Sequence, residues 1–496
     1  MSAIVDSRAA RAPSSAWLAA VALCVAIAYS LAIIQTGGDQ ILLVPLVTAA
    51  VIVAVGVHPI LGLYLVFSLG ILFEQFIVVG LAPITVGTHL YQNISAFTPV
   101  PLRLSPIDLL MALTLVSWLA RVATARAEKP RMGPFGWGVL GYGAIFIVGT
   151  AIGVARGGAW DLDAALAEIR EPIRMCVLYF LAANLVRDRR HITVLVAALV
   201  LLVGVKALEG ILNYAEAAEL PYTLDSFTAH EDVIFFDAVI ALGLTMAMLG
   251  VRSALSYVVF ALQPLILLAD LIAQRRVGFI ALGVLLVLVT ILTVATRPRR
   301  GLALAAVGVL VTTVYIAVFW DSSGPIAQPI RSVRSVLDAS YVSARDDQSD
   351  AWRVIEDANI AYTIRQLPLT GVGVGHEYLL KRRPPPLPEG FTYWRYTTHN
   401  ALLWLWLKAG PLGGFFLWFL VARVLLVGSS LFVRARDEEL RWMAMLPIAF
   451  IAAQVVFSAV ELGLTYARTM IVLGTMLGIA GALVDPLRSA RTVSRS

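Results

Sequence analysis

Two adjacent arginines, Arg275 and Arg276, stand between two apolar runs that are each long enough to cross a bilayer. A permanent charge is costly at a membrane boundary, so the pair indicates either side chains that snorkel to headgroups or a negatively charged ligand. Phosphates and carboxylates suit a planar guanidinium best. Because neighbouring residues of a helix point about 100° apart, we expect only one of the two to face a protein cavity.

A second candidate is His399, which with Asn400 directly precedes an apolar helical run. Thr398 or Asn400 could cap that helix, and a histidine at its start lies at the positive end of the helix dipole, which favours the neutral ring that a general base needs. A purely structural hydrogen-bonding role is the alternative. Lys408 would lie deep in the bilayer if a span began at once. We therefore expect 400–410 to be a separate outer or re-entrant helix, with the crossing starting after it.

The elements that must position these residues are membrane helices. With 59% apolar and 14% charged residues and a mean hydropathy of +0.84, the chain is not a soluble globular protein. The net charge of +6 needs no nucleic-acid partner, because arginines beside membrane spans account for it. The two cysteines, Cys24 and Cys176, offer neither a disulfide framework nor a metal site.

The hydropathy pattern predicts an all-α polytopic membrane protein of fourteen spans. They lie at about 16–34, 40–57, 59–78, 106–124, 135–155, 173–186, 192–212, 233–250, 254–272, 277–296, 302–320, 411–433, 442–460 and 468–484. Arginine-rich connections at 121–131, 187–190, 297–300 and 434–441 then fall on one side, which is predicted to be cytoplasmic together with both termini.

Three regions follow from this topology. Residues 1–320 hold spans 1–11, residues 321–410 form a large extracytoplasmic loop domain with the histidine, and residues 411–496 hold spans 12–14 and a cytoplasmic tail. The segment 321–399 contains nine Lys or Arg and nine Asp or Glu residues, so it is polar but neutral. The exceptional arginine pair, Arg275 and Arg276, lies on the same outer side as this segment.

Within the loop, the stretch "SARDDQSDAWRVIEDANIAYTIRQLPLTGVGVG" predicts a helix that ends at Pro368 and a glycine-rich turn. Its proposed packing face consists of Trp352, Ile355, Asn359 and Tyr362. Its candidate anion ligands are Arg345, Arg353 and Arg365, for which solvated ion pairs with Asp346, Asp347 and Glu356 are the alternative. We interpret "GVGVG" as a turn and not as a nucleotide loop, because no strand and helix flank it.

Several acidic residues remain without an assigned role. The spacing of Asp161 and Asp163 occurs in divalent-cation sites, but it also fits an amphipathic outer helix with Asp at its start, which is the interpretation we favour. The others lie near predicted outer span ends: Glu231, Asp232, Asp237 and Glu461.

The spacing after the histidine resembles a known pattern. His399-Asn400, nine residues and then Gly410-Pro411-Leu412-Gly413 is similar to the H-N-x9-G-x-x-G motif of the O-antigen ligase and O-antigen polymerase superfamily. The loop's "PLTGVG" resembles that family's Pro-Leu-x-Gly-x-Gly, and "RRVGFIALG" resembles its arginine entry into a span. The resemblance covers roughly residues 270–480.

The resemblance implies a GT-C-like membrane enzyme that transfers a glycan from undecaprenyl diphosphate, with inversion and without metal or cofactor. It assigns Arg276 to the diphosphate, His399 to the base, and Arg353 or Arg345 to a second diphosphate contact. Further substrate-binding candidates are Arg275, Asn400 and Arg174. Lys408 stands where the family commonly has an acidic residue, so that position has no assigned role.

The implied partners are the lipid-linked donor, a glycan, lipid or glycoprotein acceptor, and the bilayer of a bacterial inner membrane, with no nucleic acid. The family contains both ligases, which serve an acceptor such as a lipid A-core sugar, and polymerases, which extend another lipid-linked repeat. The product could be an O-antigen, a capsule, an exopolysaccharide or a glycoprotein chain. Two other interpretations stay open: a lipid-linked-glycan flippase or other polysaccharide transporter, and a metal-using transferase that relies on Asp161 and Asp163.

Overall fold

The computed structural model describes residues 43–75, 85–86, 88–217, 227–322, 324–337, 344–385 and 393–484, together with Ser30 and Gln35. In these ranges the chain is helical, and it contains no strand. The α-helices, numbered along the chain, are α1 Leu43–Val57, α2 Pro59–Leu72, α3 Pro106–Ala123, α4 Gly136–Arg156, α5 Leu162–Leu185, α6 Arg189–Ala217, α7 Asp232–Leu249, α8 Ala254–Ile272, α9 Arg276–Thr296, α10 Pro298–Phe319, α11 Gln328–Leu337, α12 Ala344–Gln366, α13 Ala401–Ala409, α14 Pro411–Arg434, α15 Glu438–Ser458 and α16 Ala467–Gly478.

Ten helices of the described ranges are long and apolar enough to cross a membrane. The clearest case is α10, whose most apolar window has a hydropathy of 2.4 although none of it is buried inside the protein. A helix that is apolar on every side and has almost none of its residues buried inside the protein needs lipid as its solvent. The chain is therefore a polytopic membrane protein, as the sequence predicts.

The number of fourteen spans stays a prediction. The first predicted span, 16–34, lies outside the described residues except for Ser30, and α1 and α2 are apolar but shorter than the ten candidate spans. The predicted span 173–186 is only the second half of α5, which begins at Leu162 and carries charged residues along its first half. The GT-C-like arrangement also stays a prediction.

The helix ends gather into two groups, which define two ends of the bundle. At the arginine-rich end, Arg189 at the start of α6 pairs with Asp437, and Arg297 at the end of α9 pairs with Glu438. The connections that precede α6, α10 and α15 therefore lie together. That this end is cytoplasmic stays a prediction.

The opposite end of the bundle, where α15 ends and α16 begins, contains buried ion pairs and a cavity, and it is here called the cavity end. Arg468 at the start of α16 is completely buried and donates to Glu231 and Asp232 at 3.0 and 2.7 Å. Two of the acidic residues that the sequence left unassigned are thus counter-ions of one arginine. Removing one member of such a buried group destabilises a protein far more than breaking a surface ion pair does, because a buried charge is left uncompensated.

The described residues between α10 and α14 form a layer at the cavity end. It consists of α11, α12, a loop and α13, and it has a small core of its own made of Ile360, Val372, Tyr378 and Leu407. The helix α13 ends at Gly410, whose φ of +63° turns the chain before α14 begins at Pro411. The expected separate helix at 400–410 is therefore present.

The glycine-rich loop is held between α4 and α13. Val372 donates its backbone N–H to Leu407, and Val374 donates to Gly149. Gly373 has a φ of +88°, and a Cβ there would lie 2.5 Å from the backbone nitrogen of Gly153. Only glycine fits this close approach without strain. The loop is a packed connection, in agreement with its interpretation as a turn.

Lys408 links this loop to the membrane helices through an ion pair and a hydrogen bond. Its ammonium lies 2.7 Å from Glu168 of α5 and donates to the carbonyl of His376 at 2.6 Å. Glu168 also accepts the N–H of Gly375 and the indole N–H of Trp404. Both charges are buried, so the pair joins α5, the loop and α13 at one point.

We expect Lys408→Met to lower the stability of the protein by about 3–5 kcal/mol, because it leaves Glu168 buried without its counter-ion. Thermal unfolding of the purified protein in detergent measures this as a lower midpoint. Lys381→Met, which removes an exposed lysine of the same layer, serves as the control. Equal midpoints for the two variants would show that the Lys408–Glu168 pair does not stabilise the fold.

Candidate active site

A cavity of about 780 Å³ lies at the cavity end, between the start of α9, the helices α11 and α12, and the residues after α15. Its size is typical of ligand-binding pockets. Its lining includes the apolar residues Phe279, Ile280 and Val333 and also six charged side chains. Four are arginines and two are carboxylates: Arg275, Arg276, Arg331, Arg353, Asp350 and Glu461.

Both members of the arginine pair line this cavity, so the expectation that only one would do so is wrong. The reason is local: Arg275 precedes α9 in an extended conformation, with φ −99° and ψ 108°, and only Arg276 is helical. The 100° rule for neighbouring helical residues therefore does not apply. Arg276 donates both terminal nitrogens to Asp350 of α12, at 3.0 and 2.7 Å, as a bidentate pair.

Arg353 lies one turn after Asp350 on α12 and pairs with Glu461 at 2.7 Å. Glu356, one of the carboxylates of the alternative surface ion pairs, is instead bonded to His399. Although burial alone would raise the pKa of Glu461, contact with His230 and the positive charges of Arg353 and Arg275 hold that pKa below its usual range. Glu461 is therefore a charged counter-ion inside the cavity.

His399 is held by Glu356 of α12. Its backbone N–H and its ring Nδ1 lie 3.0 and 3.1 Å from the same carboxylate oxygen, Oε2. The ring meets the edge of Trp352 at a centroid distance of 5.2 Å and an angle of 72°. His399 keeps about a quarter of its side chain exposed, whereas Glu356 is buried. The geometry fits a histidine that is fixed at one nitrogen and accessible at the other.

Asn400 caps α13, with its side-chain oxygen accepting the N–H of Leu403 at 3.1 Å. Of the two candidate caps, the structure thus uses Asn400. Its side chain is also hydrogen-bonded to Asp357, the residue after Glu356. Burial and the neighbouring charge of Glu356 raise the pKa of Asp357. Two adjacent carboxyl groups of α12 therefore hold the two residues of the His-Asn pair.

The helix α12 connects the cavity to the histidine. Asp350 and Arg353 face the cavity, while Trp352 and Glu356 contact His399. Glu356 follows Arg353 by three positions on the helix, which corresponds to a rise of about 4.5 Å. The anion-binding groups and the candidate base are thus positioned by a single rigid element.

The predicted packing face of α12 is partly wrong. Trp352 and Asn359 are buried as expected, but Ile355 and Tyr362 are only partly buried. Their places are taken by Glu356, Ile360 and Thr363, which are buried at i+4, i+8 and i+11 from Trp352. A buried glutamate and a buried threonine carry no apolar signal, so a search for apolar periodicity misses this face.

Other predicted residues lie apart from the cavity. Arg174 is buried and donates to Asp108, Glu171 and Ser105, all at 2.8 Å, so its guanidinium is occupied between α3 and α5. Asp161 caps α5 through the N–H of Ala164, as the helix-start interpretation expects. Asp163 forms an exposed ion pair with Arg103.

The remaining arginines of the loop also differ in whether they line the cavity. Arg365 is exposed near the end of α12 and does not line the cavity. The backbone of Arg345 is in the first turn of α12, but its side chain lies outside the described residues. Arg331 of α11 lines the cavity and was not a candidate, because nothing in its neighbourhood "RSVRSV" distinguishes it from a solvated arginine.

Comparison with protein families identifies this part of the chain. Residues 264–419 match the O-antigen ligase family, and this segment contains all the cavity-lining residues except Val460 and Glu461, as well as His399. The chain therefore carries a domain of the O-antigen ligase and polymerase superfamily, which confirms the resemblance read from the motif. No curated protein matches the chain. At this level of description it is a multi-pass membrane protein with a glycan-transfer domain.

Proposed function

We propose that this protein transfers a glycan from undecaprenyl diphosphate to a hydroxyl group of a glycan or lipid acceptor at the outer face of the inner membrane, as an inverting and metal-independent ligase or polymerase. The observation that supports this proposal most directly is the net positive charge of the side chains that line the cavity. Four guanidinium groups against two carboxylates leave a formal surplus of two positive charges. A diphosphate that is esterified at both ends carries two negative charges.

The apolar residues that line the cavity suit the other half of such a donor. Phe279, Ile280 and Val333 lie beside the arginines, and Ile280 belongs to a helix whose outward side is apolar. An isoprenoid chain that stays along α9 would keep its diphosphate next to Arg275 and Arg276 at the start of that helix. A lipid-linked anion fits this combination better than a soluble nucleotide sugar does.

In the proposed reaction His399 accepts the proton of the acceptor hydroxyl, and the oxygen attacks the anomeric carbon of the donor. The bond from that carbon to the diphosphate oxygen breaks, and its electron pair leaves with the diphosphate. Attack from the side opposite the leaving group inverts the anomeric configuration. The arginines stabilise the negative charge that develops on the leaving group, and each well-aimed donor contributes about 3 kcal/mol.

The direct test uses the purified full-length protein in liposomes, with lipid-linked glycan extracted from the host cell and a chelator present. We expect the glycan to appear on an acceptor, with free undecaprenyl diphosphate as the second product and with inverted linkage by NMR. Movement of the unchanged lipid-linked glycan across the bilayer would instead support the flippase interpretation. Loss of transfer with the chelator would support a metal-using transferase.

A further inference from the structure

A buried carboxylate contacts Nδ1 of the candidate base His399, and neither the motif nor the family match assigns a role to this carboxylate. Glu356 belongs to α12 and lies 43 residues before His399 in the chain. Only 1% of its side chain is exposed. A buried carboxylate is costly unless it is paired, so its partner indicates its purpose.

We propose that Glu356 is a positioning residue that fixes His399 in the tautomer with the proton on Nδ1 and the accepting lone pair on Nε2. This inference rests on the proposed function, because it specifies how His399 acts as the base. It concerns a contact between two side chains and requires no further ligand.

The hydrogen-bond geometry determines the direction of the proton. Oε2 of Glu356 accepts the backbone N–H of His399 at 3.0 Å, so this oxygen acts as an acceptor, and it lies 3.1 Å from Nδ1. An ionised carboxylate has no proton to donate, and Nδ1 therefore carries the hydrogen. Nε2 is left as the only ring nitrogen that can take a proton from a hydroxyl group.

The surroundings hold the ring in this orientation. Trp352 packs against one side of the imidazole, and Trp394 packs against Trp352 in turn. Within the part of the chain that the structure describes, the second oxygen of Glu356, Oε1, has no hydrogen-bond partner. The hydrogen bonding of this carboxylate is thus directed at His399. When His399 becomes protonated, the same carboxylate stabilises the imidazolium, the role that a carboxylate plays behind a catalytic histidine.

Glu356→Gln tests the inference with little change of shape, because the amide oxygen can still accept the backbone N–H of His399. We expect kcat to fall by about 100-fold or more, while KM for the lipid-linked donor changes little. Glu356→Asp should recover part of the loss. Glu377→Gln, which neutralises a carboxylate paired with Arg395 in the same loop, is the matched control and should keep normal transfer.

The double variant separates this inference from the proposed function. If Glu356 acts through His399, adding Glu356→Gln to His399→Ala produces no further loss, because residues that act as a unit are not additive. A further loss in the double variant, or a normal kcat in Glu356→Gln while His399→Ala is inactive, overturns the positioning role and leaves the proposed function standing. Normal transfer by His399→Ala contradicts the base role of His399, on which this inference rests, whereas absence of transfer by the wild-type protein contradicts the proposed function.

Discussion

His399→Ala is expected to lower glycan transfer by about 100-fold or more, because the acceptor hydroxyl loses the group that takes its proton. About a quarter of the side chain is exposed, and the variant keeps the backbone N–H that donates to Glu356, so the protein should still fold and insert. Cells that carry the wild type, a deletion or an equally expressed His399→Ala variant are compared by their surface and lipid-linked glycans.

The material that accumulates in these cells also distinguishes the two reaction types of the superfamily. Full-length polymer on the lipid carrier identifies a ligase, whereas single repeat units with loss of long chains identify a polymerase. His89→Ala removes an exposed histidine that bonds to Gln92 and stacks on Phe97, and it should resemble the wild type. If His399→Ala also resembles the wild type while the deletion does not, His399 is structural.

Arg276→Ala is expected to have the second large effect, a loss of about 100- to 1000-fold in kcat/KM for the donor. In the proposed reaction the guanidinium at the start of α9 binds the diphosphate and stabilises its developing charge. Arg276→Lys should recover only part of the loss, because an ammonium lacks the planar fork that binds two oxygens at once. Steady-state transfer by the purified protein measures both variants.

Arg276→Ala also breaks an ion pair, and a double variant controls for this effect. Arg276 pairs with Asp350, so its removal also leaves a carboxylate without a partner. The double variant Arg276→Ala/Asp350→Asn removes both charges and should remain inactive if Arg276 binds the donor. Recovered transfer in the double variant would mean that the ion pair merely holds α9 to α12. Arg382→Ala, at an exposed arginine of the loop, controls for loss of positive charge alone.

The parts of the molecule that were predictable from the sequence are those with local signals. Long apolar runs predict the membrane helices, and the break at Gly410 was predictable because Lys408 could not enter the bilayer directly. Arg275, Arg276, Arg353 and His399 were all candidates, and the structure places the three arginines in one cavity with His399 joined to it through α12.

The parts that were not predictable depend on contacts between distant segments. Glu356 meets His399 across 43 residues, Glu461 meets Arg353 across 108, and Lys408 meets Glu168 across 240. In a single sequence each of these carboxylates looks like an ordinary charged residue of a helix or loop. Arg174 shows the converse: it was a candidate substrate ligand, but Asp108 of α3 and Glu171 of its own helix already pair with it.

The two carboxylates of the cavity bear on how turnover would be completed. In the structure Asp350 and Glu461 already occupy Arg276 and Arg353, so an arriving donor exchanges one set of ion pairs for another. In the proposed reaction the departing carrier has a newly exposed terminal phosphate, whose second ionisation near pH 6 makes it more negative than the donor. Such a product would bind four uncompensated arginines too firmly. In the proposed reaction Asp350 and Glu461 would compete for the same guanidinium groups, which would hasten product release and restore the ion pairs before the next carrier binds.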